Sequence, residues 1–110
     1  MLGSKAKGDL AELKAISYLK DKGFVIIEHN FYFRGGEIDI IAIKNNVLHF
    51  VEVKSGDSFE AIYNITPSKI KRLIKGASIY LKQKKLNFAY SIDALILQNE
   101  KVEFIENITL

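Results

Sequence analysis

The feature that most constrains this chain is a double asparagine, Asn45-Asn46, set between two apolar runs at 38–44 and 47–53. Asparagine tolerates the positive φ that a two-residue hairpin turn requires, so the runs read as antiparallel strands folded back on each other. In that register Asp39 faces Glu52 and Glu37 faces Lys54. Side chains alternate along a strand, so all four groups are expected on one face, at the end of the hairpin far from the turn. Register alone gathers three acids and a lysine.

Gathering them is costly. Two carboxylates about 5 Å apart repel by roughly 3 kcal/mol at an effective dielectric constant of about 20, and like charges directly opposite weaken a strand pair. A bound divalent cation, a shared proton, or Lys54 as counter-ion offsets that repulsion. Magnesium is commonly held by one or two carboxylates, with waters and phosphate oxygens completing its shell. A lysine beside it orients or deprotonates an attacking water, or neutralises charge developing on a phosphate.

Composition narrows the classes. The 110 residues, 48% of them hydrophobic, suit one domain over 1–110 with a single core. The absence of cysteine excludes disulfides, iron–sulfur clusters and thiolate zinc sites, and His29 and His49 alone make a poor zinc set. With no apolar run of about 18 residues and no signal-peptide pattern, a cytoplasmic protein without a membrane partner is expected. Net charge is only +3, but no acid lies between Ala61 and Ile92, where Lys69, Lys71, Arg72, Lys75, Lys82, Lys84 and Lys85 fall. This asymmetry suits a polyanion held by the basic segment while a metal occupies the acidic one. A solvated lysine-rich helix face accounts for it equally well.

The remaining elements read in order. A helix is expected over 5–22, with Leu10, Leu13, Ala15, Ile16 and Leu19 as its apolar surface and Gly23 as its stop. A strand follows over 24–27, and Arg34-Gly35-Gly36 turns the chain into Glu37. A polar loop over 55–65 leads to Thr66, a cap, and Pro67, which needs no donor partner at a first helical position. Ile70, Leu73, Ile74, Ala77 and Leu81 recur at helical spacing. Strands over 88–97 and 102–106, joined near Asn99, complete the chain. The crossover between the third and fourth strands makes them parallel, so the sheet is mixed. Ile38, Ile40, Val51 and Val53 are expected on one face of the hairpin, and Ile41, Ile43, Leu48 and Phe50 on the face bearing the acids. Both faces need cover. The expected fold is α/β, a mixed central sheet of about five strands flanked by two helices in the order α-β-β-β-α-β-β.

Three further features bear on a site. Glu12 falls on the packed side of the first helix, where a carboxylate needs a partner, unless it reaches water near the favourable helix N-terminus. Phe31-Tyr32-Phe33 offers rings that stack on unpaired bases, although core packing or strand propensity is the simpler reading. His49 pairs with Ala42 on the face away from the acids, which argues against a role as a base, and Asp93 reads as a structural acid.

The string Gly8…Ala11-Glu12…Ala15…Tyr18-Leu19…Gly23-Phe24…Asn30…Gly35-Gly36-Glu37-Ile38-Asp39-Ile40-Ile41…Phe50-Val51-Glu52-Val53-Lys54 resembles the bacterial YraN-like family. More distantly it is similar to restriction endonuclease-like nucleases with a PD-(D/E)xK core and to archaeal Holliday-junction resolvases. The resemblance spans roughly Gly8 to Asp93 and implies a restriction endonuclease-like core that binds Mg2+ or Mn2+. It implies Asp39 and Glu52 as metal ligands, the backbone carbonyl of Val53 as a further ligand, Lys54 as the catalytic lysine and Glu12 as an accessory acid. Glu37 matches a family position as a supporting residue, with a salt bridge to Lys54 or metal contact as its role. Two departures stand out. Ser55-Gly56 follows the lysine, and Ser91 stands two positions before Asp93, where family members usually carry basic residues.

The leading expectation is therefore a metal-dependent endonuclease-like protein hydrolysing phosphodiester bonds in branched or single-stranded DNA, with DNA favoured over RNA. Lys69, Arg72 and Lys75 would contact phosphates. A homodimer is implied by the related resolvases, without an unambiguous interface stripe in the sequence. The alternative is a non-catalytic nucleic-acid-binding module on a nuclease scaffold, in which the acids and Lys54 form an ion-pair network. A scaffold protein without a nucleic-acid partner is the third reading.

Overall fold

The computed structural model describes residues 4–56, 64–99 and 101–109. Its elements are α1 (Ser4–Asp21), β1 (Val25–Phe33), β2 (Gly36–Lys44), β3 (Val47–Ser55), α2 (Pro67–Lys84), β4 (Ala89–Gln98) and β5 (Lys101–Ile105). The five strands form one sheet in the spatial order β1-β2-β3-β4-β5. Only β3 and β4 run parallel. This is the α/β layout expected from the sequence, a five-stranded mixed sheet with two helices. Most of the loop expected over 55–65, namely 57–63, lies outside the described residues.

Local chemistry explains the punctuation. Asn45 and Asn46 both adopt left-handed φ, 52° and 64°, the geometry of a type I′ hairpin turn. The register it sets runs from Lys44–Val47 to Ile40–Val51. At the start of α2 the Thr66 hydroxyl oxygen accepts a hydrogen bond from the Lys69 N–H at 3.2 Å, with Pro67 in the first turn.

The sheet is covered on both sides. Ala11, Ala15 and Leu19 of α1 pack on Ile40, Ala42, Val51, Val53 and Leu95. Leu73, Ala77 and Tyr80 of α2 pack on Ile38, Ile41, Leu48, Phe50 and Ile92. Each fully buried aliphatic or aromatic side chain contributes about 1.5–3 kcal/mol. Gly76 lets α2 approach closely, because a Cβ there would stand 2.5 Å from Phe33 Cε1 and 3.0 Å from Ile38 Cδ1.

Several details differ from the sequence reading. Leu10 and Leu13 are exposed, because the buried stripe of α1 passes through Ala11, Ala15 and Leu19, one position away. Ile74 also lies partly in solvent, while Tyr80 is buried. The Tyr80 ring fills the space between Phe31 and Phe50, at centroid distances of 5.1 and 5.9 Å. β1 continues past the expected 24–27 to Phe33, so Phe31 and Phe33 join the α2 core.

The most consequential difference is a slip in side-chain alternation. Ile38 packs with Ile41 under α2, whereas Ile40 packs under α1, so Ile38 and Ile40 do not share a face as expected. The slip falls at Asp39. On β1 the facing position is Asn30, between the pairs His29–Ile40 and Phe31–Ile38, and its φ is 60°. A left-handed residue within a strand kinks it much as a bulge does.

Candidate functional site

The ladder between β2 and β3 ends at Ile40–Val51. Past that point β2 goes on pairing with β1, through Ile38 and Glu37 to Gly36, and β3 goes on pairing with β4, through Glu52 and Lys54 to Ser55. The sheet thus opens between β2 and β3. Across the opening, the Asp39 carboxylate accepts a hydrogen bond from the Val53 N–H at 2.8 Å. A strand residue projects its N–H and C=O to the same edge, so the Val53 carbonyl is turned toward the same gap.

A cavity of about 420 Å³ occupies this opening, lined by Tyr32, Gly36, Glu37, Asp39, Glu52, Lys54, Lys69, Arg72 and Leu73. Glu37, Asp39, Glu52 and Lys54 therefore meet in one cavity. They do so because the strands part and the alternation slips, and not through the regular cross-strand pairs that the hairpin register suggested. A hollow of about 500 Å³ between α1 and the ends of β3 and β4 is larger, but among the described residues Lys14 is its one charged lining residue.

The electrostatics of the cavity are unbalanced in both signs. Burial, and then the charge of Glu52, push the Asp39 carboxyl up to about 8, against a lesser pull from the Val53 N–H. Burial also raises Glu52, opposed by Lys54. The Lys54 ammonium lies 3.6 Å from Glu52 Oε1. Lys54 in turn crowds Lys69, whose ammonium is held below its ordinary range first by the Lys54 charge. The charge of Glu52 thus disfavours that of Asp39, and beside them the charge of Lys54 disfavours that of Lys69.

Other expected partners are placed differently. Glu37 stands beside Tyr32, its neighbour across the β1–β2 ladder, and its hydrogen bond and charge raise the Tyr32 phenol. The salt bridge considered between Glu37 and Lys54 is replaced by the Lys54–Glu52 pair. Glu12 does find a partner, His29, whose Nε2 lies 2.7 Å from Glu12 Oε1, and its charge reaches Asp39 as a smaller contribution. Nothing in the sequence signals that contact between residues 17 positions apart. Arg72 crosses the start of β2 over Gly36, where an added Cβ would stand 2.7 Å from the Arg72 Cδ. Lys75 reaches toward Gly35, with 3.7 Å from Nζ to a Cβ built there. Gly36 thus makes room for the Arg72 side chain.

Asp93 belongs to a separate network. It is fully buried and accepts from His49 Nδ1 and the Ser91 hydroxyl, both at 2.5 Å, and from the Asn107 N–H at 2.9 Å. His49 pairs with Ala42 as expected, and its ring is edge-packed on Phe24 at 4.9 Å.

Among the described residues, no three His, Asp or Glu side chains form a ready metal cage, and no helix is long and apolar enough to cross a membrane. What the fold and cavity define is an α/β protein with a paired-carboxylate and lysine cavity in the gap of a mixed sheet. The chain belongs to the uncharacterised protein family UPF0102, whose model matches residues 11–103, the YraN-like family its motifs resemble. It is 61% identical over 107 residues to a UPF0102 protein of Wolinella succinogenes, covering 97% of this chain and 99% of that one. A UPF0102 protein of Helicobacter hepaticus is 58% identical over 109 residues, 99% of each chain. A third, from Helicobacter pylori strain HPAG1, is 55% identical over 105 residues, 96% of this chain and 92% of that one.

Proposed function

We propose that this protein is a metal-dependent endonuclease-like enzyme that hydrolyses phosphodiester bonds in DNA, on a restriction endonuclease-like core. The observation that carries the reading is the double imbalance of one cavity. The half-buried Glu52 carboxylate opposes the charge of buried Asp39, and the Lys54 ammonium opposes that of Lys69. A divalent cation relieves the first repulsion and a phosphate the second, and a phosphodiester beside a metal brings both.

The donor set fits Mg2+ or Mn2+. Asp39, Glu52 and the Val53 carbonyl would hold the ion, leaving positions for water and a phosphate oxygen. When bound, such an ion supplies Lewis acidity and a water of lowered pKa. The chain's own groups do the rest. Lys54, anchored by Glu52, presents an N–H donor to the phosphate or to the attacking water, while Lys69, Arg72 and Lys75 orient the polyanion along α2. Glu12 supports the acidic side through its charge on Asp39, and Glu37 holds the mouth of the cavity at Tyr32.

The test is cleavage of linear, flapped and four-way DNA with Mg2+ or Mn2+ by wild type and by Asp39→Asn, Glu52→Gln and Lys54→Ala. Each variant is expected to lose at least about 10²-fold in turnover, the loss typical when one preorganised electrostatic group is removed. Equal activity in all three rejects the assignment.

One observation favours a second reading, a non-catalytic nucleic-acid-binding module. Lys54 is already paired with Glu52 and Asp39 with the Val53 N–H, which is how an internal ion-pair network would be arranged. DNA binding with a steep salt dependence, and no heat of Mg2+ or Mn2+ binding in calorimetry with or without DNA, would select it.

A further inference from the structure

The three consecutive aromatic residues of β1 have different fates. Phe31 and Phe33 stack at 6.3 Å and pack into the α2 core. Tyr32, between them, points the other way and is 71% exposed, yet it lines the cavity that holds the acids. An aromatic side chain gains by burying its large apolar faces, so a ring left in solvent at the mouth of a charged cavity is placed for something other than the core. Its hydroxyl lies beside Glu37, whose hydrogen bond and charge raise the phenol.

The cavity presents two kinds of surface. Lys69 and Arg72 come from α2, and Tyr32 comes from the edge strand β1. Arg72 is kept in place by its passage over Gly36. Cationic groups suit a phosphate and a flat ring suits the π-face of a base. A cavity of about 420 Å³ is in the range of small-ligand sites and far too small to enclose a duplex.

Building on the nucleic-acid reading above, we propose that Tyr32 is a stacking platform for an unpaired base, so that the cavity takes a single-stranded or unstacked nucleotide in preference to intact duplex. In a continuous duplex both faces of each base are covered by its neighbours, and a side chain fixed on a strand reaches one only after the stack is broken. Flaps, gaps and branch points expose such faces already. The structural explanation, that Tyr32 merely orients Glu37, makes a different demand. It needs the hydroxyl, whereas stacking needs the ring.

The experiment measures binding of an oligonucleotide carrying 2-aminopurine, as a single strand and within a duplex, in EDTA so that no cleavage occurs. The proteins are wild type, Tyr32→Phe, Tyr32→Ala and Arg72→Ala, each checked by thermal melting. Wild type and Tyr32→Phe are expected to quench the single-strand fluorescence. Tyr32→Ala should lose the quench and bind the single strand about tenfold more weakly, within the stacking range of one base, with its weaker duplex binding unchanged. Arg72→Ala should weaken both substrates. Undiminished quenching and affinity in Tyr32→Ala, or a loss in Tyr32→Phe equal to that in Tyr32→Ala, overturns the stacking role even where Arg72→Ala leaves the nucleic-acid reading intact. Failure of wild type to bind any DNA overturns both.

Discussion

Asp39 and Asp93 are both buried carboxylates on the inner strands of one sheet, 7% and 0% exposed, and their surroundings are opposite. Asp93 receives three hydrogen bonds, from a ring nitrogen, a hydroxyl and a backbone N–H. Among the described residues Asp39 receives one, from the Val53 N–H, and faces the charge of Glu52. A carboxylate surrounded by donors closes a fold, because the cost of its burial is offset within the chain. One left short of donors beside a second acid stores an unmet demand for positive charge. The difference separates a structural acid from a candidate ligand more cleanly than burial does.

The largest test of that contrast is Asp93→Ala. It leaves His49, Ser91 and the Asn107 N–H without their acceptor and should cost about 3 kcal/mol or more in urea denaturation, since each buried donor left unpaired costs about 1–3 kcal/mol. An equal loss in Asp39→Ala would erase the distinction.

A second effect comes from pH. The Asp39 carboxyl rises on folding from 3.8 to about 8, so between those values the native state holds a proton that the unfolded chain has released. Asp39 therefore lowers stability progressively as pH rises through that window and no further above it. Relative to wild type, Asp39→Asn should gain about 1–3 kcal/mol, the cost of a poorly satisfied buried polar group, with the gain absent at acid pH. Melting curves of both proteins from pH 4 to 9 measure it, and a constant difference would show that Asp39 is not perturbed by its site.

The third test adds Mg2+ or Mn2+. At ten times its Kd an ion that binds only the folded state stabilises by about 1.4 kcal/mol. Wild type and Ser91→Ala should show the shift in thermal melting, and Asp39→Asn should not. A shift that survives Asp39→Asn but vanishes in Ser91→Ala would reverse the two roles. Smallest of all is the stability effect of Lys54→Ala. Its pair with Glu52 is partly solvated, so less than about 1 kcal/mol should be lost. A large stability loss would move Lys54 to the structural side of the comparison.

The sequence shows the hairpin at Asn45-Asn46, its register as far as Ile40–Val51, the capped start of α2 at Thr66-Pro67, and the parallel crossover. Each depends on neighbours in sequence. It does not show that Ile38 leaves the face of Ile40, where the slip falls opposite a left-handed residue, Asn30, on a different strand. Nor does it show which positions of a helical stripe are covered. The sequence offers Leu10 and Leu13 as apolar surface, but the buried stripe of α1 runs through Ala11 and Ala15. Tyr32 was legible only as one of three aromatic residues, since its exposure follows from the packing of the two beside it.

Sequence by itself determined that Asp39, Glu52 and Lys54 come to the same end of one hairpin, because a short turn with a single favoured geometry sets a register that holds as far as Ile40–Val51. Only the tertiary structure decided which buried acid is satisfied. The donors to Asp93 come from as far as 44 residues away and the partner of Glu12 from 17, and no local rule counts hydrogen bonds across such distances. The opening between β2 and β3 was decided there too, where the two halves of the sheet each keep their own outer partner and leave the acids facing a gap.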